Sequence, residues 1–124
     1  MSTRAIALAF VGGCLGGAAR IGISLVWDDA GDVPVTVLAI NVIGSLVIGF
    51  VAVLWGGHRN VWPLVGPGFL GGFTTFSALA ALNWTTTLGP VASVGLLAGW
   101  MLVCSLAARV GVVAGERVRQ GGAA

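Results

Sequence analysis

The chain has 124 residues, of which 57% are hydrophobic and only 8% charged, with a mean hydropathy of +1.03. Soluble domains carry roughly a quarter charged residues, so the composition excludes an ordinary soluble fold and predicts one integral membrane domain over residues 1–124. The formal charge of +2 rests on six arginines and no lysine. That is too few for an electrostatic nucleic-acid footprint, and nucleic-acid binding is set aside.

Four apolar stretches, near residues 5–27, 35–55, 61–82 and 91–115, each approach the ~20 residues a helix needs to cross the hydrocarbon. They predict an all-α fold of four transmembrane helices. The first run lacks a short hydrophobic core followed by a small-residue cleavage site, and is expected to be a retained span rather than a signal peptide. Trp27, Trp55, Trp62 and Trp84 fall at span ends, where an amphipathic ring favours the headgroup region. Arg4, Arg59, Arg117 and Arg119 lie on the two termini and the second connector, whereas the first connector carries Asp28, Asp29 and Asp32. The positive-inside bias predicts cytoplasmic termini, with Arg109 adding to it and Arg20 dissenting. His58, beside Arg59, reads as a solvated turn.

Span one contains Gly12, Gly13, Gly16 and Gly17, paired one helical turn apart, a pattern that lets helix backbones approach closely. Arg20 follows several residues inside the span, so it either snorkels towards Asp28 and Asp29 or faces an anion-attracting vestibule. Cys14 and Cys104 sit in separate apolar runs without a metal-ligand or redox pattern and read as small core residues. In span two, Asn41 precedes Gly44, Ser45 and Gly49; a mid-membrane amide can either hydrogen-bond a neighbouring helix or donate to an anion. Span four offers Cys104 and Ser105 near Gly99 and Gly111, facing either a neighbour or a pore.

Span three departs furthest from a plain membrane helix, with Gly66-Pro67-Gly68-Phe69-Leu70-Gly71-Gly72-Phe73-Thr74-Thr75-Phe76-Ser77 at its centre. Glycine and proline weaken helices, and a freed backbone group in hydrocarbon is costly unless buried in protein or lining a cavity. The stretch predicts a helix break that serves as an ion or substrate site, or else a glycine-lined helix contact. No lysine follows the glycines, as a phosphate-binding loop would need, and the spans hold no carboxylate pair. The pattern does not predict an enzyme.

The run from Gly68 to Ser77 resembles the GFxGG(L/F)TTFS signature of the small fluoride channels, the Fluc or CrcB family. The Asn41-x-x-Gly44-Ser45-x-x-x-Gly49 pattern and the glycine-rich stretch ending in Arg20 lie in the matching spans. The resemblance implies a passive fluoride-selective channel exporting fluoride from the cytoplasm across the plasma membrane. It implies an antiparallel dimer whose third helices, broken between Gly71 and Thr75, cross at the centre. There the backbone carbonyls of Gly71 and Thr74 would hold a structural sodium ion. Asn41 would be a fluoride donor and Phe76 a pore-lining ring. Thr75, Ser77 and Ser105 would belong to the polar track, with Arg20 at the approach.

Departures from the family pattern accompany the resemblance. Leu79 stands where a second phenylalanine is usual, Leu82 where an acidic residue often follows, and Val37 where a threonine commonly precedes the asparagine. An incomplete lining and a one-sided arginine bias both predict a fixed-orientation subunit paired with an oppositely oriented homologous subunit, a heterodimer rather than a dual-topology homodimer. Two other readings remain at this point. One is a non-conducting structural or partner subunit; the other is a small proton-coupled multidrug exporter, which the spans disfavour because they hold no carboxylate.

Overall fold

The computed structural model describes residues 2–27, 35–76 and 89–122. Among them there is no strand, and the apolar stretches form α1 (Thr3–Val26), α2 (Val35–Trp55), α3 (Val61–Phe73) and α4 (Pro90–Gly121). The chain is an all-α membrane protein: α1, α2 and α4 are each long and apolar enough to cross a bilayer, while α3 is a shorter apolar helix. Ser2 caps α1, its hydroxyl accepting the Ala5 N–H at 3.3 Å, and Pro90 opens α4 where a missing N–H costs nothing. At 32 residues α4 outruns the span read from hydropathy, because Glu116, Arg117 and Arg119 continue the helix beyond the apolar run. Its length of roughly 48 Å exceeds the ~30 Å hydrocarbon core by more than three turns.

Helix α3 keeps helical geometry through its glycines by changing register. Pro67 has no N–H and in an α-helix its ring would collide with the carbonyl four residues earlier, that of Pro63. Residues Leu64–Leu70 instead form a π-helix, and the Gly71 N–H reaches back five residues to the Gly66 carbonyl. Three α-helical residues, Gly71–Phe73, follow before the backbone turns extended at Thr74, with φ −80° and ψ 151°. The interruption therefore falls inside the segment the sequence marks, and Thr74 rather than Gly71 is where it begins. Helical geometry returns at Phe76.

Two helix pairs carry the packing. Helix α1 lies on α3, and α2 lies on α4, while α1 and α2 touch only lightly. Since lipid tails are as apolar as leucine, helix association rests on close van der Waals approach, which small residues permit. A Cβ at Gly16 would strike the Phe69 carbonyl oxygen and lie 2.8 Å from the Phe73 nitrogen; at Gly12 it would strike the Leu64 carbonyl oxygen. Gly17, by contrast, faces open space, so the seam uses one of the two glycine rows at this level. On the other side, a Cβ at Gly111 would strike the Leu46 carbonyl oxygen.

Cys14 is exposed, contrary to its reading as a core residue, because the α1 face that meets α3 is the glycine face and Cys14 lies beside it. Cys104 is partly buried. Among the described residues the buried apolar side chains are Leu38, Ile40, Val51 and Leu70, whereas Phe10, Leu25, Val91 and Leu102 stand exposed. So small a core, beside so much outward apolar surface, belongs to a chain that lies in lipid.

Candidate functional site

The site forms where α2 crosses the end of α3. An α-helix ending at Phe73 leaves backbone groups without intrahelical partners, and in a membrane these must be met by protein. Asn41, only 6% exposed, meets a donor just past the helix end: its Oδ1 accepts the Thr75 N–H at 2.9 Å. The same amide donates through Nδ2 to the Val37 carbonyl at 2.8 Å, which fixes its orientation along α2. An amide carries two N–H bonds, so one donor remains beyond the bond to Val37. Because the Val37 acceptor is a main-chain oxygen, the valine there does not interfere with holding Asn41 in place.

Thr74 anchors the turn from within α3. Its N–H and its hydroxyl both donate to the Leu70 carbonyl, at 3.0 and 2.9 Å. The Thr74 methyl then presses on α2 at Gly44, where a Cβ would collide with it and lie 3.4 Å from Phe73 Cδ1. Gly44 sits close to one turn beyond Asn41, so a single face of α2 both bonds to the break and makes room for it.

The Thr75 N–H is the donor an α-helix would direct at the Gly71 carbonyl, and here it is turned to Asn41. Gly71 is exposed and Thr74 partly so. Backbone carbonyls such as theirs are hard oxygen donors, the donor type a sodium ion takes. Phe76 is 56% exposed.

The remaining predicted residues are not all gathered here. Ser105 is exposed on α4 and its hydroxyl donates to the Met101 carbonyl at 2.7 Å. Helix α4, which carries Ser105, does not touch α3 among the described residues. Arg20 follows Gly12 and Gly16 at helical spacing on the α1 face turned to α3, and its Nε is enclosed without a hydrogen-bond partner. Ser77, Leu79 and Leu82 lie outside the described residues.

Two features went unread in the sequence. Phe69 and Phe73 stack with ring centroids 6.0 Å apart and planes 10° apart. Their spacing of four is the signal, but the change to π geometry hides which face they share. Thr36 is the second buried polar residue, lining an apolar cleft of about 250 Å³ with Ile40, Ile43 and Phe73. A hydroxyl at the start of a hydrophobic span gives no indication of burial until the partner helix is placed.

A helical membrane protein whose third helix is interrupted, with the backbone at the interruption held by a buried amide of the second, is a small all-α membrane protein with a bridged helix break. The chain belongs to the CrcB family: the family described as CrcB-like protein, Camphor Resistance (CrcB), matches residues 7–115. It is 39% identical over 122 residues to "Fluoride-specific ion channel FluC 1" of Rhodococcus jostii (strain RHA1), covering 94% of this chain and 90% of the relative. It is 36% identical over 117 residues to "Fluoride-specific ion channel FluC" of Paracoccus denitrificans (strain Pd 1222), covering 90% of each. A third relative, "Fluoride-specific ion channel FluC 2" of Nocardia farcinica (strain IFM 10152), is 42% identical over 110 residues, 85% of this chain and 77% of the relative.

Proposed function

We propose that the chain is a subunit of a passive fluoride-selective channel that lets fluoride leave the cytoplasm. The observation that carries the reading is the buried Asn41 amide bound to the Thr75 N–H, beside an exposed phenyl ring at Phe76. Fluoride holds its hydration shell tightly, and a narrow path must replace that shell with few, well-placed donors. The remaining Asn41 N–H is such a donor, the positive edge of the Phe76 ring faces the anion, and Thr75 and Ser77 extend the track. Ser105 contributes from the partner's side of the interface, in keeping with its place on a helix that does not touch α3.

The working unit is an antiparallel dimer in the plasma membrane. This chain has its termini in the cytoplasm, and an oppositely oriented homologous subunit supplies the aromatic ring that Leu79 lacks. Support comes from the arginines of the termini and second connector, and from the exposed face of α4. When bound, sodium supplies a fixed positive charge at the dimer centre, and the Gly71 and Thr74 carbonyls hold it. Fluoride efflux from liposomes, measured with this chain alone and with an oppositely biased homologue, tests the proposal. Efflux with the pair and little with the chain alone is expected; robust efflux from the chain alone would remove the need for a partner.

A further inference from the structure

The N-terminal end of α1 and the connector before α3 together form a polar cleft of about 440 Å³, lined by Ser2, Arg4, Ala5, Arg59 and Asn60. Arg4 and Arg59 come from segments more than fifty residues apart, and both are exposed. Neither is paired with a carboxylate among the described residues. The described acid, Glu116, is on α4, which does not touch α1. Arg4 and Arg59 line one cleft together with the Ser2 hydroxyl and an Asn60 amide that makes no capping bond. Such a fork of donors matches the oxygens of a phosphate.

We propose that this cleft binds the phosphate of an anionic phospholipid headgroup. Three observations select a lipid over a free anion. The cleft lies where α1 and α3, both apolar, begin. Trp62 follows Asn60 by two residues, at the depth where aromatic rings mark the membrane interface. Ala5 gives the cleft an apolar wall continuous with α1, against which a glycerol backbone and the start of an acyl chain can lie. The site is separate from the helix break and makes no use of fluoride.

The test uses the full chain in neutral detergent, with the unfolding midpoint followed as short-chain phosphatidylglycerol, phosphatidylcholine or inorganic phosphate is titrated in. Phosphatidylglycerol should raise the midpoint saturably, and the other two should not at the same concentration. Each of Arg4→Gln and Arg59→Gln should weaken the apparent affinity about fivefold, the double variant about 25-fold, taking ~1 kcal/mol for each arginine at an anionic surface. An Arg117→Gln/Arg119→Gln control, equal in charge change, should leave the affinity within about twofold if the cleft, and not diffuse charge, is responsible. If the double glutamine variant does not fold, the two single variants carry the comparison. Equal stabilisation by inorganic phosphate, an equal loss in the control, or no response to phosphatidylglycerol would each overturn the proposal. Because binding is read without fluoride, its failure leaves the channel reading untouched, and a failed efflux assay leaves this one untouched.

Discussion

The side-chain oxygen of Asn41 accepts the backbone N–H of Thr75 at 2.9 Å, joining the middle of α2 to the first extended stretch of chain after α3. One amide thereby satisfies a donor freed by the helix end and keeps an N–H of its own beyond the bond to Val37. Structure and chemistry meet on that one side chain, and substitutions can separate them.

Asn41→Leu keeps the volume and removes the acceptor. It leaves the Thr75 N–H unpaired and should destabilise the fold by about 1–3 kcal/mol, read as a loss of folded protein in detergent. Asn41→Asp keeps an oxygen for Thr75 but loses the amide donor and adds a negative charge where an anion must pass. It also sets an oxygen against the Val37 carbonyl where Nδ2 donated, so it should fold less stably, and fluoride efflux per folded protein should fall at least about tenfold, the consequence of losing ~1.4 kcal/mol of favourable interaction. Asn41→Asp conducting normally would show that the amide is a cap and no more.

Gly44 faces the Thr74 methyl, and Thr74 cannot turn away because its hydroxyl is tied to the Leu70 carbonyl. Gly44→Ala should therefore cost about 1–3 kcal/mol through overpacking. Thr74→Ser removes the methyl and retains the hydroxyl, so the Gly44→Ala/Thr74→Ser pair should recover most of that loss. Thermal unfolding of the four proteins in one cycle checks it, with additivity as the opposing outcome.

The α1 seam offers a sharper contrast. At Gly16 a methyl group would meet the Phe69 backbone, which has no rotamer by which to yield, whereas at Gly17 it would meet nothing. Gly16→Ala should depress the yield of folded protein severely, and Gly17→Ala should leave yield and midpoint unchanged to within about 0.5 kcal/mol.

These contrasts mark where the sequence could be read and where it could not. Hydropathy placed α1 and α2 closely, because each is an uninterrupted apolar run, and the Gly-Pro-Gly island located the irregular helix. What it could not convey was that Pro67 would be absorbed by a π-helix, since the register depends on which carbonyl a proline displaces. Gly12, Gly13, Gly16 and Gly17 look equivalent as letters, and only the line of approach of α3 distinguishes them. The family pattern singles out Asn41, but its bond to Thr75 spans 34 positions and has no local signal in the sequence.

Pro67 itself gives a fourth prediction. Pro67→Ala restores an N–H and removes the ring collision, so the segment can rewind as an α-helix, turning everything after it relative to α2. The protein should stay folded, but the Asn41–Thr75 bond should be lost and fluoride efflux should fall about as far as in Asn41→Asp. Backbone amide exchange at Thr75, slow in the parent and faster in the variant, reads the bond directly.

Whether fluoride crosses the membrane through this protein passively and selectively is decided by ion efflux from liposomes. Liposomes loaded with potassium fluoride or potassium chloride, carrying this chain together with an oppositely oriented homologue, are diluted into a fluoride- and chloride-free medium, and valinomycin is added. Rapid fluoride release is expected, beginning only when potassium can follow, with chloride retained. Release of chloride at a comparable rate, or no fluoride release from liposomes containing both folded subunits, would contradict it.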